Sequence, residues 1–108
     1  MSKNQRIRVA QWGLGAMGQG VAKVILAKDG LELIGAFDIS PELVGKDVGE
    51  VLGVGPAGVK VSNDPASILD PEKVDVITIA TTSWVKKQLP DLKAIISAGI
   101  NVVSIAEE

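Results

Sequence analysis

Three glycines, Gly13, Gly15 and Gly18, stand at the spacing that lets a backbone turn lie against a phosphate group. In such a turn the first glycine permits the tight exit from a strand, and the second lets a pyrophosphate approach the backbone. The third lets the following helix pack closely on the sheet. The amides of Ala16 and Met17 would point at the phosphates, and the helix dipole favours their negative charge. This pattern predicts a dinucleotide-binding turn.

An acidic residue follows the glycines at the distance where dinucleotide sites place the group that binds the adenosine ribose. Asp38 ends the apolar run from Leu31 to Phe37, and its carboxylate would accept both ribose hydroxyls and repel a 2′-phosphate. We therefore expect NAD as the cofactor. The alternative for Asp38 is a turn or capping acid. NADP stays possible because Ser40 could weaken the preference, although no Arg follows Asp38 to pair with a 2′-phosphate.

The elements that would position these residues alternate between strand and helix along the chain. Strands are predicted at residues 6–12, 32–38, 59–61, 74–80 and 100–105. Helices are predicted at residues 16–28, from Ser40–Pro41 onward, at 65–69 and at 84–98. This alternation predicts an α/β fold, a Rossmann-type doubly wound parallel sheet with right-handed crossovers and about five strands.

Hydroxyl side chains follow the fourth predicted strand. Ligands of open parallel sheets bind beyond the carboxyl ends of the strands, so Thr81, Thr82 and Ser83 are candidate contacts to the cofactor. Ser83 is also suited to cap the next helix, and both roles can hold together. Of the two tryptophans, Trp12 and Trp84, each is expected to pack at the end of an element. Trp84 has the better position to line a cleft.

The composition excludes several kinds of chemistry. The 108 residues include neither Cys nor His, which excludes disulfides, thiolate metal sites and a cysteine nucleophile, and no metal site is expected. Acid–base work falls to Asp, Glu, Lys or water. A net charge of −2 offers no footprint for nucleic acid or for a membrane surface. No apolar run suits a signal peptide or a bilayer span, so a cytoplasmic location is expected.

Two acids, Glu107 and Glu108, come directly after the fifth predicted strand. Such a pair is either a solvated chain end or a pair of carboxylates at the cleft, and the residues alone leave both interpretations open. A full doubly wound fold carries a sixth strand, and a dehydrogenase also needs a place for its substrate. Residues 1–108 are therefore expected to be the N-terminal cofactor domain of a longer enzyme, without its substrate domain.

Three segments together resemble a known family: residues 9–18, residues 44–53 and residues 101–108. They are similar to the 2,4-diaminopentanoate dehydrogenase family, which belongs with the dihydrodipicolinate reductase-like oxidoreductases and the native amine dehydrogenases. The similarity covers essentially the whole chain. Segment 44–53 and the paired acids are its most specific parts.

The resemblance implies NAD(P)-dependent oxidative deamination of 2,4-diaminopentanoate or a similar amine, reversible as reductive amination, in amino-acid fermentation. It implies that Glu107 or Glu108 handles the reacting amine, without choosing between them. It assigns the substrate carboxylate, and the contacts of a homo-oligomer, to a C-terminal domain. Residues 1–108 alone would therefore bind cofactor weakly and show no turnover. Two alternatives stay open: a non-catalytic nucleotide-sensing module, and a dihydrodipicolinate reductase-like enzyme acting on an imine or a sugar.

Overall fold

A five-stranded parallel sheet forms the centre of the fold in a computed structural model, which describes residues 6–80 and 85–104, without the side chains of 85–89. The strands are β1 Ile7–Trp12, β2 Leu31–Phe37, β3 Val61–Ser62, β4 Val76–Ile79 and β5 Asn101–Ser104. The helices are α1 Ala16–Ala27, α2 Val48–Leu52 and α3 Val85–Ser97, with a 3-10 turn at Pro65–Ser67. The predicted Rossmann-type α/β fold is confirmed.

The strand order is β3-β2-β1-β4-β5, and every neighbouring pair is parallel. The chain moves outward from β1 to β3 on one side and from β4 to β5 on the other. The order therefore reverses beside β1, and such a reversal opens a crevice at the carboxyl ends of the strands. The glycine turn leaves β1 at this crevice.

Apolar residues cover both faces of the sheet, as a parallel sheet between helices requires. One buried cluster joins α1 and α2 to the sheet and includes Val9, Ala22, Ile25, Leu33 and Leu52. The other lies on the α3 side and includes Trp12, Phe37, Ile77, Ile79 and Ile95. Among the helices of the described ranges, none is long and apolar enough to cross a membrane.

The helix expected to begin at Ser40–Pro41 is absent, and that prediction was wrong. Residues 41–45 form a turn in which the Ser40 carbonyl accepts the amides of Leu43 and Val44 at 3.0 and 3.1 Å. Gly45 has a φ of +87°, a left-handed conformation that ends any helical continuation. The helix starts at Val48 instead.

Asp47 is the N-cap residue of α2. Its carboxylate accepts the Gly49 amide at 2.7 Å, and it also accepts the amides of Ala57 and Gly58 at 2.8 Å each. These hydrogen bonds hold the pKa of Asp47 below its ordinary value, and the bond from the Ala57 amide has the largest effect. One side chain thus caps the helix and fastens the loop that follows it, which explains why the short glycine-containing helix forms.

Other boundaries differ by a few residues from the predictions. β3 is Val61–Ser62 rather than 59–61, because Lys60 instead forms an antiparallel bridge with Asp47. The helix predicted at 65–69 is the 3-10 turn, which Asp64 caps by accepting the Ala66 amide at 3.0 Å. α3 is continuous through Pro90.

An ion pair joins the start of β1 to the residue before β4. The Arg8 guanidinium donates two hydrogen bonds to Asp75, at 3.1 Å from Nε and 3.0 Å from Nη2, and the Arg8 backbone amide adds a third at 2.8 Å. The side-chain hydrogen bond from Arg8 is the main reason that the pKa of Asp75 falls to about 2. Folding therefore favours the ionised carboxylate.

We expect Asp75→Asn to lower the free energy of unfolding at neutral pH but not in strong acid. The folded-state pKa is depressed, so the stabilisation is present above the unfolded value near 4 and is lost as the pH falls through about 2. Urea unfolding of both proteins from pH 7 to pH 2 measures the difference. Asp29→Asn, at an exposed turn, is the control. A gap between Asp75→Asn and the unsubstituted chain that stays constant with pH would contradict this linkage.

Candidate dinucleotide site

The glycine turn is held between β1, β2 and α1. The Gly13 amide donates to the Phe37 carbonyl at 2.8 Å, and Gly13 has a φ of +102°, which a residue with a side chain rarely adopts. A Cβ on Gly18 would lie 2.0 Å from the Gly13 carbonyl oxygen. The third glycine therefore allows α1 to approach the turn, as its spacing predicted.

The amino end of α1 is open. Gly15 is the N-cap residue, the first turn contains no acidic residue, and no side chain of the described residues caps this end. Gly15, Ala16 and Met17 are all exposed, and a Cβ on Gly15 would have no atom within 4 Å. Exposed backbone amides at the positive end of a helix dipole, beside open space, form an arrangement that binds an anion.

Asp38 joins the glycine turn to the end of β2. Its Oδ2 accepts the Leu14 amide at 2.6 Å, and its Oδ1 accepts the Ser40 amide at 2.8 Å. Asp38 therefore does act as a turn acid, because its carboxylate accepts two backbone amides. Each carboxylate oxygen has a second lone pair, and Asp38 also lines the cavity described next. The two roles considered for this residue are compatible.

A cavity of about 420 Å³ lies at the carboxyl ends of β1, β2 and β4, a volume within the usual range for small-molecule sites. Its lining residues are Trp12, Gly13, Gly15, Phe37, Asp38, Ile39, Ala80 and Asp91. Two aromatic rings, Trp12 and Phe37, pack with centroids 4.7 Å apart and give it an apolar wall. Trp12 is thus packed as expected, and it also lines the cavity.

A buried polar pair supports the turn from below. Gln11 is fully buried in β1, where its Nε2 donates to the Gly13 carbonyl at 3.0 Å and its Oε1 accepts the Thr78 hydroxyl. The pair links the turn to β4 and satisfies the polar atoms that an apolar core would otherwise leave unpaired. The sequence interpretation missed this role. The signal was a glutamine in the buried half of β1, between Ala10 and Trp12.

Several predicted site residues lie outside the described residues: Thr81, Thr82, Ser83, Trp84, Glu107 and Glu108. The residue before the first of them, Ala80, lines the cavity, and its amide donates to the Trp12 carbonyl at 2.9 Å. Ala80, the residue that follows β4, therefore lies at the cavity. Within 6–80 and 85–104, no group of three or more acidic side chains is placed to hold a metal ion.

A family model described as dihydrodipicolinate reductase, N-terminus, matches residues 7–104. The chain belongs to this family. The match spans the sheet from β1 to β5 and contains the glycine turn and Asp38. The expected kinship with dihydrodipicolinate reductase-like oxidoreductases is confirmed.

Two curated relatives of this dihydrodipicolinate reductase-like domain differ in kind. The 2,4-diaminopentanoate dehydrogenase of Acetoanaerobium sticklandii is 31% identical, over 96% of this chain and 30% of that enzyme. The redox-sensing transcriptional repressor Rex of Staphylococcus epidermidis is 29% identical, over 93% of this chain and 44% of that protein. The chain thus spans less than half the length of either relative.

Solved structures contain a similar domain within longer chains. An amine dehydrogenase from Mycobacterium smegmatis superposes with a TM-score of 0.85 and 37% identity, over 93% of this chain and 30% of that one. GenD2 from gentamicin A biosynthesis, solved in complex with NAD, gives a TM-score of 0.74 and 27% identity, over 93% of this chain and 26% of that one. A structural neighbour of this domain has therefore been solved in complex with NAD.

Proposed function

We propose that this chain is the NAD-binding domain of a dehydrogenase that oxidises an amine carbon. The single observation that carries the cofactor assignment is Asp38, which lines a nucleoside-sized cavity and accepts an amide of the glycine turn. The similarity to an amine dehydrogenase and to 2,4-diaminopentanoate dehydrogenase supports an amine as the substrate.

The residues present fit the pyrophosphate and the adenosine half of a dinucleotide. The open space above Gly15 and the free amino end of α1 suit the pyrophosphate. Asp38 suits the hydroxyls of the adenosine ribose. The apolar wall of Trp12 and Phe37 suits a nucleoside and excludes water from its neighbourhood.

NAD, when bound, supplies the acceptor for a hydride from the amine carbon. The protein's part would be to hold the substrate and move its proton. We propose that Glu107 or Glu108 holds the cationic amine and accepts one proton from its nitrogen, as the family resemblance implies. Loss of the hydride and the proton leaves a C=N bond. Addition of water to that carbon and departure of ammonia then give the ketone, so each turnover consumes one water.

A paired titration with NADH and NADPH tests the cofactor assignment. Energy transfer from Trp12, which lines the cavity, to the nicotinamide reports binding. We expect NADH to bind at least about tenfold more tightly than NADPH, because the Asp38 carboxylate repels a 2′-phosphate.

Asp38→Asn should weaken NADH about tenfold or more and narrow the preference over NADPH. A neutral amide neither accepts ribose hydroxyls as strongly as a carboxylate nor repels phosphate. Asp29→Asn removes the same charge at an exposed turn outside the cavity lining and should change neither affinity. Tighter NADPH binding by the unsubstituted chain would refute the role given to Asp38. Binding of neither dinucleotide would refute the cofactor assignment.

The similarity to the repressor Rex favours a second candidate function, a redox-sensing module that binds the dinucleotide without chemistry. Both functions require the glycine turn and Asp38, so cofactor binding does not separate them. Amine-dependent reduction of NAD by the full-length protein does. A dehydrogenase shows it, whereas a sensor shows no turnover with any amine.

A further inference from the structure

Asp91 stands in the cavity without an assigned role. It belongs to α3, it is half-buried, and it lines the same cavity as Asp38 and Ile39, which follow β2. Within the described part of the chain, no hydrogen bond or ion pair to its carboxylate is found. Burial raises the pKa of Asp91 above its ordinary value, as expected for a carboxyl group that is partly shielded from water.

The position of Asp38 determines which part of a bound nucleoside would contact Asp91. If a nucleoside ribose is bound at Asp38, its base occupies the remainder of this cavity, because the cavity holds about 420 Å³ and continues from Asp38 to α3. Ile39, beside Asp38, is 78% exposed and offers an apolar surface to one face of a flat ring. Asp91 is the one carboxylate besides Asp38 among the lining residues described.

We propose that Asp91 selects the purine base, its carboxylate accepting a hydrogen bond from the 6-amino group of adenine. This inference rests on the proposed function, since it concerns the base of the same dinucleotide. A carboxylate is an acceptor only. Adenine presents a donor at position 6, whereas hypoxanthine and guanine present a carbonyl oxygen there. Two acceptors facing each other leave the half-buried carboxylate unpaired at position 6, so the site would disfavour 6-oxopurines.

The test compares NADH with reduced nicotinamide hypoxanthine dinucleotide, which differs from it only in the base. We expect the unsubstituted chain to bind NADH about tenfold more tightly. Asp91→Asn should bring the ratio of the two affinities to one or below, because the amide can donate to the 6-oxo group. Asp91→Ala should also abolish the preference. Asp29→Asn, which removes a charge at an exposed turn, should retain it.

The outcomes separate this inference from the proposed function. Tight NADH binding with no preference for adenine, or a preference that survives in Asp91→Asn, overturns the role of Asp91 and leaves the cofactor assignment intact. Failure of both dinucleotides to bind overturns both. Thermal unfolding of each variant, expected to match the unsubstituted chain, shows that a changed ratio does not come from a damaged fold.

Discussion

Gly18→Ala is expected to destabilise the fold by about 3 kcal/mol, because the new methyl group would meet backbone atoms and a side-chain rotation cannot relieve the contact. The Cβ would lie 2.0 Å from the Gly13 carbonyl oxygen and 3.3 Å from the side-chain Nε2 of Gln11. Relief requires α1 to move away from the glycine turn. Urea unfolding measures the loss directly.

Two other glycines provide matched controls for this substitution. Gly20, in the same helix, has no atom within 4 Å of an added Cβ, so Gly20→Ala should stabilise the fold by about 0.5–1 kcal/mol through helix propensity. Gly15→Ala should leave stability nearly unchanged and weaken NADH binding at least about tenfold, because its methyl group would occupy the space proposed for the pyrophosphate. Equal stability of Gly18→Ala and Gly20→Ala would contradict the close packing at the turn.

The largest functional effect is expected from neutralising both acids after β5. In the full-length protein, Glu107→Gln with Glu108→Gln should lower the rate of amine deamination by about 10²–10⁴-fold, the usual contribution of a general base. Affinity for NADH should change less than about twofold. Rates of amine-dependent NAD reduction, with separate NADH titrations, measure the two effects.

Each single substitution then identifies the acid that acts, since only one of them should reproduce the loss. Glu72→Gln, at an exposed turn before β4, is the control for loss of a carboxylate. A double variant that deaminates at the unsubstituted rate would remove both acids from the chemistry. A parallel loss of NADH affinity would instead indicate that they act on cofactor binding.

The sheet was predictable because its signals are local. A run of mostly apolar residues such as Val76–Ile79 is typical of a strand that is buried on both faces of a sheet. The helical spacing of apolar residues after the glycines predicts the helix that connects β1 to β2. The start of α2 was not predictable in the same way. Ser40 and Pro41 offer a good local start for a helix, yet Asp47 is favoured because its carboxylate also binds Ala57 and Gly58. Those contacts exist only after the loop has folded back.

The residues of the candidate site likewise differ in whether local sequence or tertiary packing determines their position. Asp38 could be assigned because its place at the end of β2 determines its surroundings. Asp91 could not, because its position in the cavity depends on how α3 is rotated and seated against the sheet. The spacing of residues along a helix can be read from the sequence. Which face of the helix lies towards a cleft cannot be read when the apolar pattern is uneven. Gln11 is an intermediate case. A polar residue among apolar neighbours is evident from the sequence, but its hydrogen-bond partners Gly13 and Thr78 are not.

The two backbone bonds to Asp38 bear on the speed and selectivity of recognition. A carboxylate already held by Leu14 and Ser40 has lost its rotational freedom before any ligand arrives, so little ordering entropy opposes the encounter. Association should then need no rearrangement around the ribose. Discrimination between related dinucleotides would appear chiefly in how long each remains bound.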